Sequence, residues 1–328
     1  MRAWQVKELA DPDQALALEE VEKPAREEGQ VLIKTQTAAL NFFDILLCQG
    51  KYQEKPPLPF TPGAEIAGTV EAADDGSAFQ VGQKVLARPA MPAGGFAEWV
   101  SVPEASVFSV PESMPFEEAA AMYITYQTAY YALHDRGNIK EGEVLLVHAG
   151  SGGVGSAAIE LGKAAGARII ATAGGSEKVQ VCKDLGADIA IDYRAEDFVD
   201  TVKKETDGRG ADVIFDPVGS DTFDRSRKCI AFAGRLLVIG FAGGRIPEAP
   251  ANHALVKNYS IVGVHWGYFA RLYEQEMVNI HKTLCSMYEE GKIKPLIYEQ
   301  YRFEEVPHAL NLLADRKTYG KLVVNVGE

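Results

Sequence analysis

The sequence predicts an α/β protein: a doubly wound parallel sheet, with a second, β-rich domain contributed by the two ends of the chain. Three observations carry this. Val144-Leu-Leu-Val147 is a short run of large apolar residues that stops at a glycine-rich turn. Strand and helix patterns alternate for about a hundred residues after it, as in a parallel sheet covered on both faces. Residues 1 to about 120 show instead short strand-like segments punctuated by Pro and Gly.

The turn is Ala149-Gly-Ser-Gly-Gly-Val-Gly155, followed by a small-residue helix expected over Ser156 to Gly166. Gly152, Gly153 and Gly155 permit a tight turn with no side chain between backbone and ligand. N–H groups at such a helix start bind anions without a positive side chain, so Gly152, Gly153, Val154 and Gly155 are candidates to hold a pyrophosphate. A glycine turn alone also suits plain packing. Context decides between the two: a second strand, Arg168–Ala173, and a third, Asp188–Asp192, flank a helix at Glu177–Leu185. That βαβαβ order is half of a Rossmann-type dinucleotide sheet.

The earlier part of the chain offers strands at Met1–Val6, Leu16–Val21 and Gln30–Thr37, then a short helix near Asn41-Phe-Phe-Asp44. Leu58–Val70 mixes prolines, glycines and an apolar stretch in which Glu65 needs a partner. Gln80–Ala87, Gly94–Val100 and Val107–Pro111 supply further strands, and Pro115 opens a helix with acidic residues in its first turn, where the dipole favours them. Beyond the third sheet strand follow a helix at Phe198–Glu205 and strands at Ala211–Gly219, Gly234–Gly240 and Ser260–Val264. Phe241 lies just past the fifth strand, on the rim where open parallel sheets bind ligands. Six strands complete such a sheet, so the tail, with helices at Tyr273–Glu290 and Ala309–Leu313 and a strand at Lys321–Val326, is expected to rejoin the β-rich domain. The expected division is 1–123 completed by 268–328, with 124–267 as the nucleotide domain.

Composition narrows the function. The 328 residues, 47% hydrophobic and 24% charged, contain no run approaching a membrane span and no apolar leader at the N-terminus, so a cytoplasmic location is expected. A net charge of −13 discourages binding to nucleic acid or to an anionic membrane. Cys48, Cys182, Cys229 and Cys285 are dispersed and suggest neither a disulfide framework nor a structural zinc lobe.

In this order, Asn41-Phe-Phe-Asp44, Gly50-Lys-Tyr52, Pro62-Gly-Ala-Glu-Ile-Ala-Gly68, Thr125-Tyr-Gln-Thr-Ala129, the Ala149–Gly155 turn and Arg316-Lys-Thr-Tyr-Gly-Lys321 resemble the medium-chain dehydrogenase/reductase superfamily. They resemble in particular its zinc-independent, zeta-crystallin-like NADPH:quinone oxidoreductase branch, over essentially the whole chain. The resemblance implies a GroES-like catalytic domain beside the Rossmann domain. It also aligns the catalytic zinc ligands of the alcohol dehydrogenases with Asn41, Ala64 and Ile124, which are not a zinc ligand set, so no metal is expected. Without a Lewis acid, alcohol oxidation near neutral pH is disfavoured. A quinone or activated enone, whose reduced oxygen is already delocalised, needs less help.

The second strand ends Ala173-Gly-Gly-Ser-Glu-Lys178, with no acid at its last position for adenosine ribose hydroxyls. Gly174 makes room, Ser176 donates and Lys178 adds charge, a set that suits the extra phosphate of NADPH. The resemblance adds Tyr193 and Arg316 to it. Glu177 stands against this, either accepting from ribose or sitting solvated in the first turn of its helix. Asn41 reads either as an amide donor to cofactor or substrate or as a loop-structuring residue. Tyr52 reads as a proton-donating phenol or a packing tyrosine. Thr128 matches the threonine that lies near the nicotinamide in the family. Some relatives carry a tyrosine where this chain has Leu46, so a different substrate pocket is implied.

His148, beside the turn, is favoured as structural, and Asp44 and Glu65 as anchors. His265, Trp266 and Tyr268 follow the sixth strand as candidate pocket residues. The expected activity is hydride transfer from NADPH to a small-molecule quinone or α,β-unsaturated carbonyl. An enoyl-thioester reductase and a non-catalytic, crystallin-like NADPH binder are the alternatives. The apolar edge Ser260–Val264 points to a homodimer.

Overall fold

In a computed structural model, residues 1–327 are described. The chain divides into one unit made of Met1–Ile124 with Pro295 onward, and a second of Thr125–Lys294.

The chain begins with β1 (Arg2–Val6), α1 (Pro12–Ala15) and β2 (Leu16–Glu20), the two strands forming an antiparallel ribbon. It continues through β3 (Gln30–Ala39), α2 (Phe42–Cys48), β4 (Ile66–Ala72), β5 (Lys84–Ala87), β6 (Trp99–Pro103), β7 (Val107–Ser109) and α3 (Phe116–Tyr130). β3 is the hub. It pairs antiparallel with β4, with β6 and with the last strand of the chain. Its pattern explains why: Val31 and Ile33 are fully buried and join Phe60, Ile66, Phe96 and Val102 in one core, so three neighbours cover a ten-residue strand that one ribbon would leave half exposed.

α3 runs on into a single π-helical turn, Tyr131–Arg136, before the six strands of the second sheet. These are β8 (Val144–Val147), β9 (Arg168–Ala173), β10 (Ile189–Asp192), β11 (Ala211–Asp216), β12 (Ile230–Val238) and β13 (Ser260–Gly263). All pairings are parallel, in the order β10-β9-β8-β11-β12-β13, the doubly wound order of a dinucleotide sheet with its reversal between β8 and β11. Between them lie α4 (Gly153–Ala164), α5 (Ser176–Asp184), α6 (Phe198–Glu205), α7 (Ser220–Cys229) and α8 (Ala251–Lys257). α6 matches its expected bounds because Phe198, Val199 and Val202 form a buried face and Asp197 caps it, accepting from the Val199 N–H at 2.8 Å. α7 and α8 escape a reading by apolar periodicity: α7 is polar, with Phe223 its one large buried apolar side chain, and α8 buries none of its residues.

After α9 (Trp266–Leu272) and α10 (Glu274–Glu289) come β14 (Ile297–Arg302), α11 (Val306–Ala314) and β15 (Lys321–Asn325). The tail rejoins the first unit as expected: β15 pairs antiparallel with β3, aligning Val323 with Ala39. The expected break at residue 268 is corrected to 294/295. Phe269 of α9 stacks on Tyr131 at 4.1 Å between ring centres, and the Lys294 N–H donates to Glu160 of α4 at 3.2 Å. Both helices stay with the nucleotide unit, α10 packing against α9.

Candidate functional site

The glycine turn closes β8. Ala149 adopts a left-handed φ of 49°, and α4 starts at Gly153, with Gly152 as its N-cap. This is three residues earlier than Ser156, because the glycines themselves make the first helical turn. Gly155 cannot be replaced: a Cβ there would stand 2.1 Å from the Ala149 carbonyl oxygen. Ser156 is the first N–H to find a helical partner, the Gly152 carbonyl at 2.8 Å. The N–H groups of Gly153, Val154 and Gly155 thus stand without helical acceptors at the start of a twelve-residue helix, where the dipole favours an anion.

His148 is a structural residue of this turn. Its Nε2 lies 2.8 Å from the Ser226 Oγ and its Nδ1 3.0 Å from the Thr172 Oγ1. Because Ser226 donates its own hydroxyl to the Thr222 carbonyl, it accepts from Nε2–H, and Nδ1 accepts from Thr172. Burial, reinforced by Arg225, holds the imidazole neutral, with its pKa pushed down to about 3.

The end of β9 gathers four residues of the expected cofactor set and one that sequence reading missed. Asp192, at the end of β10, accepts from the Gly175 and Arg194 N–H groups, each at 3.0 Å, pinning two turns together. A Cβ built on Gly174 would stand 2.7 Å from the Tyr193 hydroxyl and 3.1 Å from Arg194 Nε. Lys178 is nearby: its ammonium is pushed below the usual lysine range first by burial and then by the Arg194 charge, with Glu177 acting the other way. Ser176 opens α5 at the surface. Two neighbouring cations and a phenol around a side-chain-free backbone suit a phosphomonoester. The sequence signals Arg194 only by its place directly after Tyr193. Phe241 lies past β12, exposed to 42%, with its ring against Gly219. Arg316 belongs to the first unit, just beyond α11, with a left-handed φ of 56°.

In the first unit Asn41, Asp44, Glu65 and Lys321 form a buried network. Lys321 Nζ donates to the Leu40 carbonyl at 2.8 Å, to Asn41 Oδ1 at 2.7 Å and to Glu65 Oε1 at 2.6 Å. Asn41 Nδ2 donates to the same Glu65 oxygen at 2.9 Å and, at 3.4 Å, to the Ala39 carbonyl. Glu65 Oε2 accepts from the Ile124 N–H at 2.8 Å, so the partner its sequence context required is Lys321, supported by two donors.

Asp44 accepts from the Asn41 N–H at 2.9 Å and from the Gly63 N–H at 3.2 Å. Desolvation outweighs these bonds and pushes its pKa up to about 7. Sequence reading noted Lys321 as the end of a motif and missed its place here, because 256 residues separate it from Glu65. Tyr52 is half-buried, its ring 5.5 Å from that of Phe43. Thr128 is half-buried on α3, one turn after Ile124.

These residues do not fit a zinc ion. The carbonyl of Asn41 is taken by Lys321, Ala64 and Ile124 carry no donor, and among the described residues no three His, Cys, Asp or Glu side chains converge. Burial raises the thiol pKa of Cys48, Cys182 and Cys229 to about 12 and that of Cys285 to about 11, so these dispersed thiols are protonated near neutral pH.

A six-stranded parallel sheet with this turn, and a β-rich unit made from both ends of the chain, define an oxidoreductase of the medium-chain dehydrogenase/reductase class. The comparisons agree. Residues 27–112 match the alcohol dehydrogenase GroES-like domain family, and residues 153–282 the zinc-binding dehydrogenase family. Quinone oxidoreductase-like protein 2 homolog of Nematostella vectensis is 40% identical over 302 residues, covering 90% of this chain and 82% of its own. The crystal structure of Pseudomonas syringae quinone oxidoreductase superposes with a TM-score of 0.91 at 32% identity, over 99% of both chains. That of Escherichia coli quinone oxidoreductase complexed with NADPH gives 0.92 at 27% identity, over 99% of this chain and 100% of the other. The chain belongs to the zeta-crystallin-like quinone oxidoreductase family of the medium-chain dehydrogenase/reductase superfamily.

Proposed function

We propose that this protein is a metal-independent reductase that binds NADPH and reduces a quinone or an α,β-unsaturated carbonyl. The observation that carries the reading is the end of β9, where Arg194 lies beside Gly174 and within electrostatic reach of Lys178, with no acid at the strand end. The NADPH bound by the Escherichia coli relative supports it.

When bound, NADPH supplies hydride from the nicotinamide ring. The N–H groups of Gly153, Val154 and Gly155 hold the pyrophosphate, with Gly152 as the helix cap. Ser176, Lys178, Tyr193 and Arg194 would hold the adenosine phosphate, Glu177 remaining a solvated first-turn residue; Arg316, in the first unit, is kept as the cation that the family resemblance implies for the same group. Phe241, past the end of β12, and Thr128, on α3, would help to hold the cofactor, Thr128 on the nicotinamide side. The second N–H of Asn41 would donate to the acceptor's oxygen, and Tyr52 would supply the proton that follows the hydride and take one back from solvent. A quinone or enone oxyanion is stabilised by its own conjugation, so such donors suffice where an alcohol would require a metal.

A panel of quinones, enones and enoyl-CoA esters, assayed with NADPH and NADH, tests this. Quinone or enone turnover with NADPH supports the reading; turnover confined to enoyl-CoA esters favours a thioester reductase, and cofactor binding without any turnover a crystallin-like binder.

A homodimer is part of the reading. β13 is the outer strand of its sheet, with Ile261 39% exposed, and a second copy pairing there would cover an open apolar edge. Val262→Asp is expected to weaken self-association in sedimentation. A wild-type protein that sediments as a monomer at micromolar concentration contradicts the dimer.

A further inference from the structure

The Lys321–Glu65 pair is an unusual element of the first unit's interior. Their side chains are 6% and 0% exposed, and a buried ion pair is a poor way to gain stability, because desolvation offsets most of the attraction and apolar residues of similar volume serve as well or better. What such a pair provides is geometry. All three ammonium N–H groups are committed, to the backbone at Leu40, to Asn41 and to Glu65. The Asn41 carboxamide is therefore held at both ends, its carbonyl by a cation and its amino group by Glu65. Its remaining N–H has only the long contact of 3.4 Å to the Ala39 carbonyl, and the residue retains 8% exposure.

A cation on the carbonyl oxygen of an amide draws electron density from the nitrogen, and in a low-dielectric setting such polarisation strengthens the N–H as a donor. We infer that Lys321 is a positioning residue for the reduction: its ammonium fixes Asn41 and strengthens the N–H that makes only the long Ala39 contact and would exchange it for the oxygen of the carbonyl being reduced. Lys321 itself touches no substrate. The inference rests on the reading of the protein as a quinone or enone reductase, and it extends that reading by giving the oxygen-stabilising group a charged support inside the fold. It also bears on substrate choice. A sharper donor matters most where the reduced oxygen is poorly delocalised, so the support favours enones over quinones.

Lys321→Met alone would strand the Glu65 carboxylate, and its misfolding would say nothing about Asn41. The test is therefore the double variant Glu65→Gln/Lys321→Met, which removes both charges, beside Lys321→Arg, which keeps the cation but cannot present three N–H groups in the same directions. For each, kcat and KM are measured with one quinone and one simple enone at saturating NADPH, together with the NADPH dissociation constant and the unfolding temperature. The expected result is a folded protein with KM and NADPH affinity within about threefold of wild type and kcat lower by roughly tenfold, less than the loss of a whole oxyanion donor. The loss should be larger for the enone.

Unchanged kcat in the folded double variant overturns the inference, as does a loss that falls equally on KM, NADPH affinity and both acceptors, the mark of a merely structural pair. If the double variant does not fold, Lys321→Arg decides: a drop in kcat with KM held supports the inference, and a wild-type kcat overturns it. A wild-type protein that reduces neither acceptor overturns the underlying reading and the inference with it, whereas active wild type with unaffected variants overturns the inference alone.

Discussion

Removing either cation at the end of β9 is expected to abolish most of the preference for NADPH over NADH. Arg194 lies near enough to depress the Lys178 pKa, and the guanidinium Nε would be 3.1 Å from a methyl on Gly174, so a phosphate at that backbone would meet Arg194 and feel the Lys178 charge. A hydrogen bond to a charged group contributes about 1.5–3 kcal/mol, so Lys178→Ala or Arg194→Ala should weaken NADPH roughly ten- to a hundredfold and leave NADH nearly unchanged. The double variant should lose more than the sum, since in each single variant the remaining cation is relieved of the other's repulsion. Both residues have solvent access, so raised salt should weaken NADPH more than NADH.

Gly174→Asp is expected to shift preference towards NADH through a carboxylate that repels the phosphate, but its Cβ would also displace the Tyr193 hydroxyl, 2.7 Å away, so it should lose affinity for both cofactors. Calorimetric titration of each variant with both cofactors, at low and high ionic strength, reads all of this. Equal affinities in the wild type, or a Lys178→Ala protein weakened alike towards both, would refute the reasoning.

Further predictions concern stability. Gln127 is fully buried on α3, and neither its amide nitrogen nor its amide oxygen has a hydrogen-bond partner among the described residues; Gln127→Leu should therefore stabilise the protein by about 1–3 kcal/mol in denaturant unfolding, and a destabilised variant would mean that the amide is bonded. His148 is held neutral down to about pH 3, against 6.5 for an ordinary histidine. The unfolded chain then binds a proton that the folded one refuses, and this contribution to stability falls as pH drops below 6.5, by up to about 1.4 kcal/mol per pH unit. The stability gap between wild type and His148→Asn should narrow accordingly from pH 7.5 to pH 5, and a gap independent of pH contradicts the buried neutral imidazole. Gly155→Ala, whose Cβ would collide with the Ala149 carbonyl at 2.1 Å, should unfold at a lower temperature and bind neither NADPH nor NADH; wild-type affinity would show that the turn can yield.

The two cores were legible because their signals are local. Val144–Val147 is apolar at every position and buried at every position, and the turn after it needs glycine for a reason visible in spacing. Elements without an apolar rhythm were not legible. α8 exposes Leu255 and Val256 to 81% and 78%, and its polar first turn resembles a loop. β14, Ile297–Arg302, alternates too weakly to be read, since only Tyr301 is buried.

At the site the sequence named the residue types but not their partners. Asn41 was recognised from its motif, yet how its carboxamide is held depends on a lysine 280 positions away. Arg194 was passed over because its role is set by the fold bringing β10's end against Gly174, a pairing that a reading along the chain does not measure. The domain break moved by 27 residues, from 267/268 to 294/295, since an amphipathic helix such as α10 declares that it has a partner without saying which.

The most direct test of the central claim is a single-turnover reaction of NADPH with a quinone, run on protein whose metal content is measured in the same sample and after exhaustive chelation. Metal-independent hydride transfer predicts that NADPH is consumed at the same rate before and after chelation, and that deuterium at the transferring nicotinamide carbon slows it. Consumption that disappears with the metal, or that is indifferent to the deuterium under conditions where the chemical step is limiting, would contradict it.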